Sequence, residues 1–240
     1  MYVVEVENLT KIFNGLVAVD SVSFKVSRGE FFGLLGPNGA GKTTIIRMLT
    51  GQLKPTRGKA KVLGINVVRN PIKVREVVGI IPEQEVPPSF LTAEEYLEFV
   101  GKIRKIENLE ERCDWWFKFL EFEDQRNVLC KDLSRGTRQK LMFAQAFIHE
   151  PEIAFIDEPL INLDPIIQRK VKDFLKNYVR SGHTVFLCTH VLNIAEELCS
   201  RIGIIDRGKI IYDGPLSEIR KRDERLESFF IKLLGGAMNA

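Results

Sequence analysis

The sequence is poor in the features that mark secreted and zinc-binding proteins. Among its 240 residues are only four cysteines, and Cys113, Cys130, Cys188 and Cys199 form no C-x-x-C pair. A disulfide framework or a zinc site is therefore not expected, and the cysteines are predicted to be buried thiols in a reducing compartment. The first ten residues, MYVVEVENLT, indicate a strand and not a signal peptide.

Long apolar runs and a large excess of charge are also missing. No apolar run approaches the ~20 residues that a membrane-spanning helix needs, so the chain itself is expected to be soluble. The formal net charge is only +3, and binding to nucleic acid cannot be argued from so small an excess of basic residues. With 45% hydrophobic residues the chain suits one globular domain with a substantial core.

Three segments with different periodicity follow one another along the chain. From Met1 to about Pro82 short β-like runs dominate, and from about Leu91 to Glu150 apolar residues recur at helical spacing. After Pro151 strands and helices alternate, which is typical of right-handed βαβ units and a largely parallel sheet. The pattern predicts an α/β fold that is interrupted by a helical block.

Local signals predict individual turns and helix ends. Thr92 followed by Glu95 predicts a capping box at the start of a helix. VSRGEFF (26–32) predicts a hairpin through Arg28-Gly29, and LLGGAMNA (233–240) predicts a loose tail. A cluster of aromatic residues is expected to pack in the core of the helical block, with a surface that meets a membrane partner as the alternative. Its members are Trp115, Trp116, Phe117 and Phe119.

The clearest chemical motif is GLLGPNGAGKTTIIRML (33–49), where an apolar strand meets a helix through a glycine-rich loop. Gly36-x-x-x-x-Gly41-Lys42-Thr43 is the P-loop spacing, in which backbone amides at a helix N-terminus cradle nucleotide phosphates. Lys42 adds a positive charge within reach of the same phosphates, and the Thr43 hydroxyl can ligate Mg²⁺. The residues predicted to bind ATP are Gly36, Pro37, Asn38, Gly39, Ala40, Gly41, Lys42, Thr43 and Thr44.

A pair of carboxylates ends a second apolar strand, in EIAFIDEP (152–159). Ligands in open α/β sheets bind at the carboxyl ends of strands, so Asp157 is predicted to hold Mg²⁺ opposite Thr43. Glu158, one residue further on, is predicted to polarise the water that attacks the γ-phosphate. Taken alone the pair fits an acidic helix cap equally well, but together with the P-loop it favours a site of ATP hydrolysis.

Three further motifs complete a family pattern. LSRGTRQKL (133–141) resembles the signature motif of ABC transporter ATPases, INLDP (161–165) resembles their D-loop, and CTH (188–190) resembles their switch-histidine motif. The motifs stand in the family's order, and the resemblance covers essentially the whole chain. It implies an α/β fold with a P-loop NTPase core around a largely parallel sheet, an N-terminal antiparallel β subdomain and an inserted α-helical subdomain.

The resemblance also implies how the remaining residues act. His190 would reach the γ-phosphate and hold Glu158 and water in line, and Phe13 would stack on adenine, with a position in the core as the alternative for Phe13. The signature motif and the D-loop would contact the ATP held by the opposite subunit of a dimer. Binding in trans is thereby predicted for Ser134, Arg135, Gly136, Thr137 and Asp164. Ser134 and Asp164 also fit as N-caps of the following helices, and both roles can hold.

Two motifs, the signature motif and the Q-loop, depart from the family pattern. The signature motif has Arg135 and Thr137 where glycine and glutamine are common, and a basic third residue resembles the subgroup serving drug, lipid, polysaccharide and sodium exporters. The family's Q-loop has a glutamine that contacts Mg²⁺ and the attacking water. A gapless alignment puts Glu83 at that position, with Gln84 one residue later, and the sequence leaves open which of the two has that role.

Together these features predict a single ABC ATPase domain over residues 1–240 that uses ATP and Mg²⁺. The nucleotide-binding core is expected in residues 1–90 and 151–215, the helical subdomain in 91–150, and a C-terminal helix and tail in 216–240. The expected partners are a membrane-spanning transporter subunit and a second ATPase subunit, and the two ATPase subunits are expected to form a homodimer or a heterodimer. Nucleic acid is not expected as a partner.

The expected function is to hydrolyse ATP and power transport, with export as the expected direction, from the cytoplasmic face of the cell membrane. The alternative is a soluble ABC-type ATPase that acts on nucleic acid or ribosomes. A single nucleotide domain without a long coiled-coil insertion or a strongly basic tail argues against that alternative. A nucleotide-binding regulator without turnover is disfavoured by the Glu158–His190 pair.

Overall fold

The computed structural model describes residues 1–84, 87–160, 162–221 and 225–237. Within these ranges the strands are β1 (Tyr2–Phe13), β2 (Leu16–Ser27), β3 (Phe31–Leu35), β4 (Arg57–Val62), β5 (Ile65–Asn66), β6 (Gly79–Ile81), β7 (Ile153–Asp157), β8 (Thr184–Thr189), β9 (Arg201–Asp206) and β10 (Lys209–Pro215). The α-helices are α1 (Lys42–Leu49), α2 (Pro71–Val77), α3 (Ala93–Ile103), α4 (Leu109–Phe119), α5 (Arg135–Phe147), α6 (Pro165–Arg180), α7 (Leu192–Leu198), α8 (Leu216–Lys221) and α9 (Leu226–Ala237).

The larger sheet has the strand order β10-β9-β3-β8-β7-β6, and its strands are parallel apart from β10. Every residue of β3, β7 and β8 is buried. These strands consist mainly of apolar residues because a parallel sheet is covered on both faces. Their carboxyl ends meet at one edge, where the P-loop, the two carboxylates and His190 follow directly. The predicted α/β fold with a largely parallel sheet is confirmed.

The second sheet, of order β2-β1-β4-β5, is antiparallel and belongs to the N-terminal part of the chain. β1 and β2 are joined at Asn14-Gly15, and these two residues have positive φ angles of 46° and 87°. Two successive residues with positive φ are typical of the type I′ turn, whose twist matches that of a hairpin. The predicted antiparallel β subdomain is thus a hairpin extended by β4 and β5.

The hairpin predicted through Arg28-Gly29 is wrong. β2 pairs with β1 in the antiparallel sheet, whereas β3 lies between β8 and β9 in the parallel sheet. Gly29 does have a positive φ of 71°, so the chain turns at the expected place. The turn carries the chain from one sheet to the other, because all five residues of β3 are apolar or glycine and are stabilised by burial on both faces.

The segment between β6 and β7 is helical, and its first helix starts where the sequence indicates. Thr92 accepts a hydrogen bond from the Glu95 amide at 3.2 Å, and the Glu95 carboxylate accepts one from the Thr92 amide at 2.8 Å. Trp116 and Phe117 are buried, with exposed fractions of 4% and 0%. Core packing is therefore confirmed for these two aromatic residues, but it is wrong for Trp115, which is 48% exposed.

The C-terminal part of the chain is helical further than the sequence indicates. The loose tail predicted from Leu233 onwards is wrong up to Ala237, because α9 extends to that residue. Leu226 and Phe229 lie three residues apart and bury one face of α9, and the Phe229 ring packs 4.9 Å from the Tyr212 ring. Residues 238–240 of the predicted tail lie outside the described residues.

All four cysteines are free and buried, as the sequence predicts. Burial raises the pKa of Cys113 to about 11, so this thiol stays protonated at neutral pH. Within the described ranges no helix combines the length and the apolar composition that crossing a bilayer requires.

The two sheets pack against each other through a cluster of phenylalanines. The ring of Phe186, on β8, lies 5.9 Å from that of Phe24 on β2. It also lies 5.2 Å from the ring of Phe32 and 5.4 Å from that of Phe155, on the neighbouring strands β3 and β7. Phe186 is 0% exposed, so its ring joins the antiparallel sheet to the centre of the parallel sheet.

We predict that Phe186→Ala lowers the free energy of unfolding by about 3–5 kcal/mol, because it leaves a cavity between the two sheets. Phe99→Ala is the control, since Phe99 is 52% exposed on α3 and surface changes usually stay within about 0.5 kcal/mol. Denaturant unfolding of both variants measures the difference. Equal losses in the two variants would contradict this role of Phe186.

Candidate functional site

The glycine-rich loop between β3 and α1 has a conformation that depends on its glycines. Gly41 precedes α1 with a φ of 110°, which side chains disfavour. A Cβ atom at Gly36 would lie 2.3 Å from the carbonyl oxygen of Ile205 on β9, so a larger residue does not fit. Among the described residues no side chain caps the first turn of α1, which leaves backbone amides at the helix N-terminus available to an anion.

Lys42 opens α1 and directs its ammonium group back over the loop. Its Nζ donates hydrogen bonds to the carbonyl oxygens of Gly36 at 2.6 Å and Pro37 at 3.0 Å. Lys42 is only 7% exposed. Because both partners are neutral carbonyls, the charge of this nearly buried ammonium is left to pair with a bound anion such as a phosphate.

Oxygen atoms from three segments converge beside Lys42. The Thr43 hydroxyl donates to Asp157 Oδ2 at 2.7 Å and lies 3.3 Å from Glu83 Oε2. Hydroxyl and carboxylate oxygens are the ligands that Mg²⁺ prefers, and Mg²⁺ is usually held by one or two carboxylates together with substrate phosphates. The described residues contain no cluster of three or more His, Cys, Asp or Glu arranged to hold a metal by themselves. The oxygen atoms of Thr43, Asp157 and Glu83 are of the kind that can hold Mg²⁺ together with substrate phosphates.

Asp157 is the buried carboxylate of this set. It ends β7 and is 2% exposed. Burial, opposed by the hydrogen bond from Thr43, raises the pKa of its carboxyl group to about 6, and the charges of Glu83 and Glu158 act in the same direction as burial. A divalent cation placed among these carboxylates would favour the ionised form of Asp157, because it replaces their repulsion with attraction.

Glu158 is held against the end of β8. Its Oε1 accepts a hydrogen bond from the His190 amide at 2.7 Å and lies 2.6 Å from His190 Nδ1. Its Oε2 accepts a hydrogen bond from the Thr189 hydroxyl at 2.8 Å. The side chain of Glu158 is 9% exposed and that of His190 is 45% exposed. Glu158 lines the cleft described next, whereas among the described residues His190 does not and is placed beside it through its contacts with Glu158.

The glycine-rich loop, Lys42, Thr43 and the three carboxylates meet around one cleft of about 180 Å³. Its lining combines the loop, the start of α1 and the carboxylates: Ala18, Asn38, Gly39, Gly41, Lys42, Thr43, Thr44, Glu83, Asp157 and Glu158. Gly36 and Pro37 take part through the carbonyls that bind Lys42, and Ala40, in the same loop, is buried. No feature of the sequence predicted Ala18, which reaches the cleft from β2. Thr189, which binds Glu158, could have been found as the residue preceding His190.

Two further predicted residues, Gln84 and Phe13, are not among the described residues that line the cleft. Gln84 is exposed, and among the described residues it does not line the cleft, whereas its neighbour Glu83 does. Phe13 ends β1 beside the hairpin turn and is 42% exposed, with Lys11 Nζ 4.9 Å from the centre of its ring. An exposed ring can stack on a base, but in the described part of the chain Phe13 is not among the residues that line the cleft.

The signature and D-loop residues also lie outside the cleft lining. Ser134 is the N-cap of α5, where its hydroxyl accepts from the Thr137 amide at 3.1 Å. Asp164 is the N-cap of α6 and accepts from the amides of Ile166 and Ile167 at 3.1 and 3.0 Å. Both cap geometries match the sequence-based interpretation, and Ser134 and Arg135 present the start of α5 to solvent.

The start of α5 contacts the loop that follows Glu158. A Cβ atom at Gly136 would lie 2.8 Å from the carbonyl oxygen of Asn162, so this approach requires glycine. Gln139, which is 1% exposed, donates a hydrogen bond from Nε2 to the carbonyl oxygen of Pro159 at 2.9 Å. The signature helix and the carboxylate strand are therefore joined within one chain.

Comparison with known proteins gives a consistent result. The family model described as ABC transporter matches residues 19–161. Nod factor export ATP-binding protein I of Neorhizobium galegae is 34% identical over 214 residues, which cover 88% of this chain and 62% of that protein. The chain thus spans less than two-thirds of the length of this relative.

Two solved structures share the fold over nearly the whole chain. An ATP-binding subunit of an ABC transporter matches with a TM-score of 0.91 and 29% identity, covering 97% of this chain and 99% of that one. An ATP-binding cassette solved as a dimer in a post-hydrolysis state with ADP and Pi matches with a TM-score of 0.81 and 26% identity, covering 89% and 98%. The chain therefore belongs to the ABC transporter family, among its ATP-binding subunits.

Proposed function

We propose that the chain binds ATP with Mg²⁺ in the cleft between the P-loop and β7 and hydrolyses it as the ATPase subunit of a transporter. The observation that carries this proposal is the convergence of a lysine, a threonine hydroxyl and three carboxylates on one cleft. They come from three separate segments of the chain, and neither a plain turn nor a helix cap requires all of them.

Each residue has its own task in the proposed reaction, in which water attacks the γ-phosphate. Lys42 and the amides at the start of α1 bind phosphate oxygens. Thr43, Asp157 and Glu83 would hold Mg²⁺, which when bound neutralises charge on the phosphates. Glu158 orients the attacking water and takes its proton, and His190 holds the Glu158 carboxylate through its amide and its ring.

A second ATPase subunit is proposed to complete the site. The N-terminus of α5 favours an anion, yet it lies outside the cleft of its own chain. A relative of the same fold is known as a dimer with ADP and Pi, which supports contact in trans. The residues proposed to meet the partner's nucleotide are Ser134, Arg135, Gly136, Thr137 and Asp164. ATP would then stabilise the closed dimer, and hydrolysis would remove that stabilisation.

The other proposed partner is a membrane-spanning subunit on whose cytoplasmic face the ATPase acts. Export is the proposed direction, because one relative is named for Nod factor export and Arg135 stands where the exporter subgroup has a basic residue. We propose that residues 1–90 and 151–215 form the nucleotide-binding core, 91–150 the helical subdomain and 216–240 the C-terminal segment of a single ATPase domain. Phe13 is proposed as the platform for adenine.

We predict that Lys42→Ala weakens the binding of MgATP by roughly 10- to 100-fold, because it removes hydrogen bonds from a charged donor to phosphate. The fold should survive, since the change removes little core volume. Lys61→Ala is the control, because Lys61 lies on β4 with an exposed side chain and is not among the described residues that line the cleft. Calorimetric titration with MgATP and thermal melting measure the two effects. Unchanged affinity would contradict the P-loop assignment, and collapse of the melting temperature would make the lysine structural.

We predict that Gly136→Asp abolishes the ATP-dependent dimer and turnover but leaves the first ATP-binding event intact. The new carboxylate would face a γ-phosphate in a partly dehydrated interface, where like charges repel strongly. Gly136→Ala is the matched control, because any Cβ atom meets the Asn162 carbonyl at 2.8 Å and only the aspartate adds charge. Size-exclusion chromatography with ATP separates the cases. Normal dimerisation and turnover of Gly136→Asp would contradict the role in trans.

We predict that Glu158→Gln slows hydrolysis by about 10²–10⁴-fold, the loss typical of a missing general base. MgATP affinity should not fall, because the substitution also removes a negative charge beside the triphosphate. Single-turnover hydrolysis and nucleotide titration measure the two quantities, with Asp157→Asn compared in parallel. If Glu158→Gln is nearly normal while Asp157→Asn is inactive, Glu158 is not the base and Glu83 becomes the next carboxylate to examine.

A further inference from the structure

Thr189 is the last residue of β8 and lies directly behind Glu158. Its side chain is almost fully buried, with 1% of the residue exposed. The hydroxyl donates to Glu158 Oε2 at 2.8 Å, and it accepts a hydrogen bond from the Val191 amide at 3.0 Å. His190, between them, binds the other carboxylate oxygen, Oε1. Each oxygen of the Glu158 carboxylate therefore has its own donor.

The direction of the Thr189 hydrogen bonds is determined by their partners. An amide can only donate, so the hydroxyl oxygen accepts from Val191. An ionised carboxylate can only accept, so the single hydroxyl proton of Thr189 must point at Glu158. The Thr189 hydroxyl is therefore held both as a donor and as an acceptor, and its proton has a single orientation.

The backbone conformation of Glu158 is unusual, and it bears on the role of the hydrogen bond from Thr189. Glu158 has a φ of 51°, a left-handed conformation that is uncommon for a residue with a side chain. Its amide donates to the carbonyl oxygen of Cys188 at 3.0 Å, which ties this turn to β8. Residues in such conformations persist where the surrounding structure holds them, and they cluster at functional sites. The side chain still has rotatable bonds, which the hydrogen bonds from β8 restrain.

We propose that Thr189 is a positioning residue, which fixes the orientation of the Glu158 carboxylate through Oε2 while His190 holds Oε1. This inference rests on the proposed role of Glu158 as the base of ATP hydrolysis. Thr189 keeps its own proton throughout and touches neither water nor phosphate. If the Thr189 hydroxyl is removed, the Glu158 carboxylate can rotate about its last torsion. The lone pair that receives the proton of water is then no longer directed at the water.

The test compares variants that keep or remove the hydroxyl. Thr189→Val has nearly the same shape but no donor, and single-turnover hydrolysis of ATP by the full chain should slow by roughly 10- to 100-fold, as expected for a misplaced catalytic group. MgATP affinity should stay unchanged, because the Thr189 hydroxyl binds Glu158 and Val191 and, in the described part of the chain, Thr189 is not among the residues lining the cleft. Thr189→Ser keeps the donor and should recover most of the lost rate.

The matched control is Thr184→Val, at the other end of β8. Thr184 is 0% exposed, and its hydroxyl accepts a hydrogen bond from the Gly29 amide at 3.1 Å, away from Glu158. Thr184→Val should lower the melting temperature as much as Thr189→Val does, but without slowing hydrolysis. Should Thr189→Val not fold, Thr189→Ala removes the same donor and is expected to show the same loss.

A double-mutant cycle separates positioning from a general structural effect. If Thr189 acts through the Glu158 carboxylate, Thr189→Val should cost little further rate in the Glu158→Gln background. A full additional loss in that background would overturn the inference, as would a normal rate in Thr189→Val or a failure of Thr189→Ser to recover. If Glu158→Gln itself is nearly normal, the proposed base is wrong and this inference fails with it. If Glu158→Gln is inactive and Thr189→Val is normal, only this inference fails.

Discussion

The register of the three central parallel strands is the constraint on which the site depends. Leu35 at the end of β3 pairs with Thr189 at the end of β8, and Asp157 at the end of β7 pairs with Cys188. The P-loop, the switch histidine and the carboxylates therefore leave the sheet at one edge. A shift of one residue would move a strand end by about 3.3 Å, which exceeds the length of every hydrogen bond around Glu158.

The same edge concentrates carboxylates. Among the described residues that line the cleft, Glu83, Asp157 and Glu158 stand against one lysine, Lys42. Burial, with a smaller contribution from the charges of Glu83 and Glu158, raises the pKa of Asp157 to about 6. A divalent cation would pair with the carboxylates and reduce their mutual repulsion, and the phosphates of ATP would pair with Lys42. The two proposed ligands therefore match the negative and the positive groups of one small cleft.

The signature helix α5 contacts the segment that follows the carboxylate strand β7. These contacts connect the nucleotide cleft with the helix N-terminus that is proposed to meet a partner subunit. Gly136 packs on the Asn162 carbonyl, and Gln139 binds the Pro159 carbonyl immediately after Glu158. One end of this connection lies in the cleft, and the other is the helix N-terminus proposed to meet a partner's nucleotide. These contacts place the two proposed faces on elements that touch directly within one chain.

The P-loop, the capping box at Thr92 and the N-cap at Asp164 could be predicted from the sequence, because each depends on residues only a few positions apart. The alternation of strands and helices likewise indicated a parallel sheet. The sequence could not determine that Arg28-Gly29 joins two sheets, since strand pairing is decided by burial among distant segments. The sequence left open whether Glu83 or Gln84 lies beside Thr43, and the tertiary structure places Glu83 there. The position of Thr189 behind the carboxylate of Glu158 was decided by the tertiary structure alone. Those contacts join strand ends that only the folded sheet brings together.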